Sequence, residues 1–224
     1  METKPLFVVP EADAVRQLKR YQIPYPDHGV ARSAAEAAKT ADALGYPVVL
    51  KVLSPDISHK SDAGGVIIGL HDAKQVRRAY DDVTKRVNES VPGADISGVM
   101  VCRQAQEGLE VIVGGIDDTV FGPTVMFGLG GIFTEVFRDV AFRIAPLERI
   151  DAEEMVHDIK GYHLLEGQRG QGPRDVESLI ELLMSVSRLM TEESNIKELD
   201  LNPVRLYERG LLALDARMIM KAGT

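Results

Sequence analysis

Residues 51 to 66, KVLSPDISHKSDAGGV, bring two lysines, two aspartates, a histidine and a glycine pair together just after an apolar run. An imidazole is a nucleophile near neutral pH and carries a labile phosphoryl group, so His59 on this glycine-hinged loop reads as a phosphoryl relay, with Lys60 beside it to hold phosphate. The plainer alternative is an ordinary surface histidine. Lys51 lies inside the run YPVVLKVL. An uncompensated ammonium buried there costs several kcal/mol and calls for an anion such as a phosphate or for a carboxylate partner. A strand at a sheet edge would instead let Lys51 reach water.

A second concentration lies in ELDLNP near the end of the chain. A strand has a period of two, so Leu199 and Leu201 face a core while Glu198, Asp200 and Asn202 share the other face. If Glu208 and Arg209 form the following turn, the numbers of paired residues sum to 417, and Asn202 stands opposite Asp215 with Cβ atoms roughly 5 Å apart. Such a pair suits Mg²⁺, a hard ion that takes one or two carboxylates plus phosphate oxygens. The alternatives are a polar solvent face ending in an Asn-Pro turn, or a register shifted by a bulge at Gly210. In FGLGGIFTE, Gly128, Gly130 and Gly131 follow a strand and let backbone approach a phosphate, or simply make a turn. A GxGxxG fingerprint would need glycine at Phe133, and GxxxxGK[ST] occurs nowhere, which excludes both common nucleotide-binding loops. His28, His71, His157 and His163 read as structural or exposed.

These residues need elements to position them. The pattern predicts a helix from about Glu11 to Tyr21, and another from the capping box Ser33 to Glu36 as far as Gly45. The strand YPVVLKVL follows, with GVIIGL pairing back on it. Val76, Ala79, Tyr80, Val83 and Val87 recur at helical spacing between Asp72 and Asn88. DISGVMVCRQ, LEVIVGGI and PTVMFGLG read as strands, 151–160 and 175–192 as helices, and KELDLNPVRLYERGLLALDAR as a hairpin. Strands and helices interleave without regular alternation, which predicts an α+β fold in two lobes, 1–108 and 109–224, meeting near Gly108.

Composition narrows the classes. The 224 residues are 45% apolar, enough to bury a core, and no apolar run approaches the roughly 20 residues of a membrane span. The N-terminal METKPLFVVP lacks the build of a signal peptide, which makes the cytoplasm the expected location. One cysteine, Cys102, permits no internal disulfide, and the histidines have no zinc spacing. A net charge of −8 argues against nucleic acid or anionic membrane as partner.

GYPVVLKVLSPDISHKSDAGGV, FGPTVMFGLGGIFTEVFRDVAFRIAPL, LLEGQRG, ELDLNPV and LDAR, in that order over nearly the whole chain, resemble the ATP-grasp β subunit of ADP-forming acyl-CoA synthetases, relatives of succinyl-CoA synthetase. The resemblance implies an ATP-grasp fold whose two α+β lobes clamp ATP or ADP with Mg²⁺. It implies the reaction acyl-CoA + ADP + phosphate ⇌ acid + CoA + ATP, through acyl phosphate and phosphohistidine. By the same resemblance Lys51 is the phosphate-binding lysine, and Asn202 and Asp215 are metal ligands. Asp200, with Glu198 as second candidate, is the acidic group near metal and phosphate, while Glu110, Gly130 and Gly131 contact the nucleotide. His59 is the second phosphoryl carrier. An α subunit would bind CoA and carry its own phosphohistidine, in a hetero-oligomer; the initial methionine and full motif set read as a separate gene product. Relatives often carry an acidic residue near Cys102 or Arg103, where this chain reads VMVCRQAQ. Two rival readings are a non-catalytic nucleotide-sensing or scaffolding module and, more distantly, a stand-alone ligase joining a carboxylate to an amine.

Overall fold

The structure is a computed structural model that describes residues 5–57, 60–131, 139–167 and 172–222. His59 lies outside the described residues. The chain divides into two compact units, one from Pro26 to Gln106 and the other made of the chain up to Tyr25 together with Glu107 onward.

The strands of the smaller unit are β2 (His28–Ala31), β3 (Val48–Leu53), β4 (Val66–Leu70) and β5 (Gly98–Arg103), in the antiparallel order β2-β5-β3-β4. Helices α2 (Ala34–Leu44) and α3 (Ala73–Ser90) cover one face. Each begins where a short polar side chain satisfies an orphan amide: Ser33 Oγ accepts from Glu36 N at 3.2 Å, and Asp72 Oδ1 accepts from Gln75 N at 2.8 Å. α2 ends at Gly45, whose φ of 82° is a conformation that glycine adopts without steric cost. Val48, Leu50 and Val52 alternate toward the helices and pack with Val76, Ala79, Val83, Val87, Val99 and Val101. Lys51 therefore points to the other face.

The larger unit is built on β1 (Leu6–Val9), β6 (Leu109–Asp118), β7 (Gly122–Leu129), β8 (Val140–Ile144), β9 (Ile196–Leu206), β10 (Leu211–Ala213) and β11 (Arg217–Lys221). They run in the order β1-β11-β9-β6-β7-β8, with β10 also paired to β9. α1 (Glu11–Arg20), α4 (Arg149–His157), a 3₁₀ turn (Lys160–Leu164) and α5 (Val176–Glu192) complete it. α5 buries Leu179, Leu182, Leu183, Val186, Leu189 and Met190 against β6 and β7, each such side chain contributing about 1.5–3 kcal/mol by removal from water. A Cβ on Gly115 would come within 2.6 Å of Met190 Cγ, so at this point the helix rests directly on the β6 backbone.

The expected lobe 1–108 loses its first 25 residues to the larger unit. The reason is a long-range pairing: β1 lies antiparallel on β11, from Leu6 opposite Lys221 to Val9 opposite Met218. Tyr21 and Arg20 of the α1 end both reach Glu193, at 3.2 and 3.1 Å. Nothing local in METKPLFVVP announces a partner more than 200 residues away. Among the described residues no helix is long and apolar enough to cross a membrane.

Asp175 ties α5 to the β9–β10 turn. Its carboxylate caps the helix by accepting from Ser178 N at 3.0 Å, and also accepts from Gly210 N at 2.6 Å. The amide of Gly210, then that of Ser178, holds its pKa below the ordinary aspartate value. A lowered folded pKa means stability that is present above the unfolded value of about 3.9 and is lost as pH falls through the folded one. Asp175→Ala is expected to cost about 1–2 kcal/mol in urea unfolding at pH 7, and progressively less below pH 4, where the wild type has itself begun to lose the interaction. An equal cost at pH 7 and pH 2.5 would contradict this.

Candidate functional site

The chemistry of the larger unit gathers on the sheet face turned away from α5. β9 alternates as its sequence predicts, with Leu199 and Leu201 buried and Glu198, Asp200 and Asn202 on the opposite side. The alternation then slips by one, because Val204 and Leu206 are the next buried residues. On the β6 side, Val111 faces Val204 but Val113 faces Leu201, so Asn202 and Pro203 together oppose Ile112 in a bulge. Bulges of this kind re-aim side chains and recur beside active sites. The alternative of an Asn-Pro turn does not occur; the strand runs through Pro203 to Leu206.

On its other side β9 keeps one register from Leu206 to Glu198. Leu206 faces Leu211 and Val204 faces Ala213; beyond a break at residues 214–216, Asp200 faces Arg217 and Glu198 faces Ile219. Leu214 N donates to Pro203 O at 2.9 Å across the break. With the same count on both sides, Asn202 falls opposite Asp215, as the turn at Glu208 and Arg209 predicted. Asp215 Oδ1 accepts from Ala216 N at 3.0 Å. Among the described residues no three His, Cys, Asp or Glu side chains converge as a self-sufficient metal cage. An amide and carboxylate opposite each other, with Asp200 one pair along, are a hard-oxygen set of the kind that binds Mg²⁺ together with phosphate oxygens.

The rest of this face is occupied unequally. Glu198 accepts from Arg217 at 2.6 Å, and Glu110 accepts from Arg205 at 3.0 Å. Gly114, directly between Asp200 and Met126 in the ladder, leaves that row without a side chain on the β6 side of the aspartate. Phe142 and Ile144 on β8 are 53% and 55% exposed at the far side of the same face. Gly130 is required by packing: its N–H donates to Glu110 O at 2.7 Å, and a Cβ there would come within 2.9 Å of the same carbonyl. Gly131 has a φ of 63° with open space where a Cβ would stand, so its conformation, not crowding, selects glycine.

In the smaller unit Lys51 is 7% exposed, and β3 is an interior strand, with Lys51 opposite Met100 of β5 and Val66 of β4. The edge-strand alternative is thereby ruled out. The lysine is buried on the helix-free face.

Three residues were not assigned a role from sequence. Arg217 and Arg205 stand on the site face; only the period of two, carried from Asp215 to Arg217, would have pointed to the first. Asp139 is buried and accepts from Lys160 N and Gly161 N, both at 2.8 Å, anchoring the 3₁₀ turn. That contact joins segments about 20 residues apart and has no local sequence sign. A groove along α5, about 500 Å³ and lined by Gln22, Arg149, Glu181 and Arg188 among others, shares no residue with the site.

Residues 5–220 match the model of a family described as ATP-grasp domain. The chain is 47% identical to the acetate–CoA ligase [ADP-forming] I subunit beta of Pyrococcus furiosus, over 98% of this chain and 93% of that protein. A structure of the dinucleotide-forming acetyl-coenzyme A synthetase 1 of Ca. Korarchaeum cryptofilum, with coenzyme A, Ca-AMPCP and HgCl⁺, superposes with a TM-score of 0.94 at 44% identity, covering 96% of this chain and 93% of that one. A second structure of that enzyme, with coenzyme A and Mg-AMPPCP and its phosphohistidine segment pointing towards the nucleotide binding site, gives 0.83 at 40% identity, covering 95% and 92%.

Proposed function

The chain belongs to the ATP-grasp domain family, and we propose that it works as the nucleotide-binding β subunit of an ADP-forming acyl-CoA synthetase, together with an α subunit in a hetero-oligomer. The reaction is acid + CoA + ATP ⇌ acyl-CoA + ADP + phosphate. ATP or ADP and Mg²⁺ are its nucleotide and metal. The observation that carries the reading is the β9 face, where Asn202 and Asp215 stand opposite each other beside Asp200, in a chain aligned over nearly its full length with an acetate–CoA ligase β subunit.

In the nucleotide half-reaction a neutral imidazole nitrogen, that of His59 in the proposed relay, attacks the γ-phosphorus, and the phosphoryl group then passes to the histidine of the α subunit. A P–N bond forms, the bond to the β,γ-bridging oxygen breaks with its electron pair going to ADP, and the imidazole proton passes to solvent. Catalysis of such a transfer is positioning and charge neutralisation more than covalent chemistry. Lys51, a buried ammonium on an interior strand, binds phosphate oxygens. Asn202 and Asp215 would hold Mg²⁺, with Asp200 adding a third oxygen group; the metal when bound supplies positive charge to the polyphosphate. Glu110, Gly130 and Gly131 are the proposed nucleotide contacts of the larger unit, Glu110 through the arginine pair it maintains. His59 is the proposed second phosphoryl carrier, on the strength of its sequence setting between Lys51 and the glycine pair.

Labelling with γ-labelled ATP tests this. The full chain is incubated with ATP and Mg²⁺, with and without its α subunit, and acid-labile, base-stable label is located by peptide mapping. The expected result is label on histidine that requires the α subunit, with the share on His59 absent from His59→Ala. Label confined to the α subunit and unchanged in His59→Ala removes the relay role of His59. ATP binding without label on either chain supports the scaffolding module instead.

A further inference from the structure

We propose that Arg217 is a further catalytic residue of this site, contacting the phosphoryl group in transfer, and that Glu198 is a positioning residue that acts through Arg217. The inference rests on the functional reading above and deepens it.

The β9–β11 ladder puts Arg217 directly opposite Asp200 and two residues beyond Asp215 on the same face. From there the guanidinium reaches diagonally to Glu198, with Nη1 to Oε1 at 2.6 Å. That bond draws the cation along the face, away from the Asn202 and Asp215 pair. It also commits an oxygen of Glu198, the second candidate for an acidic role beside the phosphate, to holding the arginine. Arg217 Nε is buried and makes no hydrogen bond. A buried N–H is ordinarily paired, so this donor is one that an incoming acceptor would satisfy.

Charge points the same way. Glu198, Asp200 and Asp215 place three carboxylates along two adjacent strands, and Arg217 is the cation set among them. A phosphoryl group brought to Asp200 would meet strong repulsion without a cation in that row. The planar guanidinium fork fits phosphate oxygens in a way that an ammonium does not. In the transfer step the bond to the ADP oxygen and the bond to imidazole nitrogen exchange as described above. Arg217 gives and takes no proton; it neutralises the three non-bridging oxygens while the two bonds exchange.

The test uses the full chain with its α subunit and the variants Arg217→Gln, Arg217→Lys, Glu198→Gln and the double variant Arg217→Gln with Glu198→Gln. Arg217→Gln is expected to lower kcat for phosphohistidine formation by about 10²–10³-fold and to raise the KM for ATP by about tenfold. Arg217→Lys recovers less than about tenfold of this, because charge returns without the fork. Glu198→Gln loses about tenfold, and the double variant is no slower than Arg217→Gln, since the two residues act as one unit. Calorimetric titration gives a readout apart from turnover: Arg217→Gln weakens Mg-AMPPCP binding by about tenfold and leaves Mg-ADP within about twofold.

Wild-type rates and affinities in Arg217→Gln overturn the proposal. So does a Glu198→Gln variant as slow as Arg217→Gln with a double variant slower than either, because Glu198 would then act on substrate independently. If Arg217→Gln does not fold, Arg217→Lys, which keeps the charge, carries the comparison: a wild-type rate in that variant overturns the role of the fork. A wild-type chain that binds neither nucleotide overturns the functional reading itself, a result told apart because it appears before any substitution is made.

Discussion

Asp215→Asn is expected to lower phosphoryl transfer by about 10³-fold at low Mg²⁺, with part of the loss recovered as Mg²⁺ is raised. The substitution removes a full negative charge from the pair that would hold the metal while keeping a carbonyl oxygen in the same place. That oxygen can still accept from Ala216 N, the bond that Asp215 Oδ1 makes at 3.0 Å, so the break in the ladder at residues 214–216 keeps its local support. The fold should not suffer. Three carboxylates, Glu198, Asp200 and Asp215, lie close along β9 and its partner strand, and removing one relieves repulsion among them. The unfolding midpoint is therefore expected to stay level or rise slightly while activity collapses. The two measurements are labelled-phosphoryl transfer across a Mg²⁺ series and thermal unfolding of the same preparation. Transfer within threefold of wild type at limiting Mg²⁺ would remove Asp215 from the metal site.

The second large effect concerns Lys51. Lys51→Met keeps the length and most of the volume of an unbranched side chain on β3 and deletes only the ammonium. Phosphoryl transfer is expected to fall by about 10²–10³-fold, because no other group on that strand offers a positive charge to phosphate oxygens. Lys51→Arg is not expected to restore it. The site is 7% exposed, flanked by Val66 and Met100 on the neighbouring strands, and a guanidinium is wider than the ammonium it replaces. Circular dichroism should show both variants folded. Lys51→Met with near wild-type transfer would mean that the lysine is buried for structural reasons alone, with its charge answered inside the protein.

These two residues show how differently the candidate residues of the two units could be read beforehand. For Asp215 the local sequence carried nearly everything. A period of two along ELDLNP, a turn at Glu208 and Arg209, and simple counting place Asn202 opposite Asp215, and the ladder keeps that count from Leu206 to Glu198. The bulge at Asn202 and Pro203 was also written in the spacing, since the apolar positions step from Leu201 to Val204 instead of to residue 203. For Lys51 the sequence left two possibilities standing. A lysine in an apolar run fits an edge strand as well as an anion site, and only the strand order β2-β5-β3-β4 removes the first of these.

Gly130 and Gly131 divide along the same line. Their neighbourhood reads as a glycine turn after a strand, but the reason for each is tertiary. Gly130 is small because the Glu110 backbone passes within 2.9 Å of its missing Cβ, and Gly131 is glycine because its φ is positive. Glu198 reads as an acid on the site face, and there its carboxylate accepts from Arg217 at 2.6 Å, a bond that no local pattern announces.

By itself, then, the sequence determined the α+β class, most helix and strand positions, the family resemblance, and the residue pairs of the terminal ladder. Each of these follows from period, capping and turn chemistry over a few residues, or from motifs kept in order. The tertiary structure alone decided that β1 closes on β11 and takes α1 with it into the larger unit, that β3 is interior, that Asp139 anchors the 3₁₀ turn, and that Arg217 bonds Glu198. All four are contacts between segments far apart in the chain. Hydrophobic burial and backbone pairing are indifferent to sequence distance, so the energy that selects such partners leaves no mark in either segment read alone.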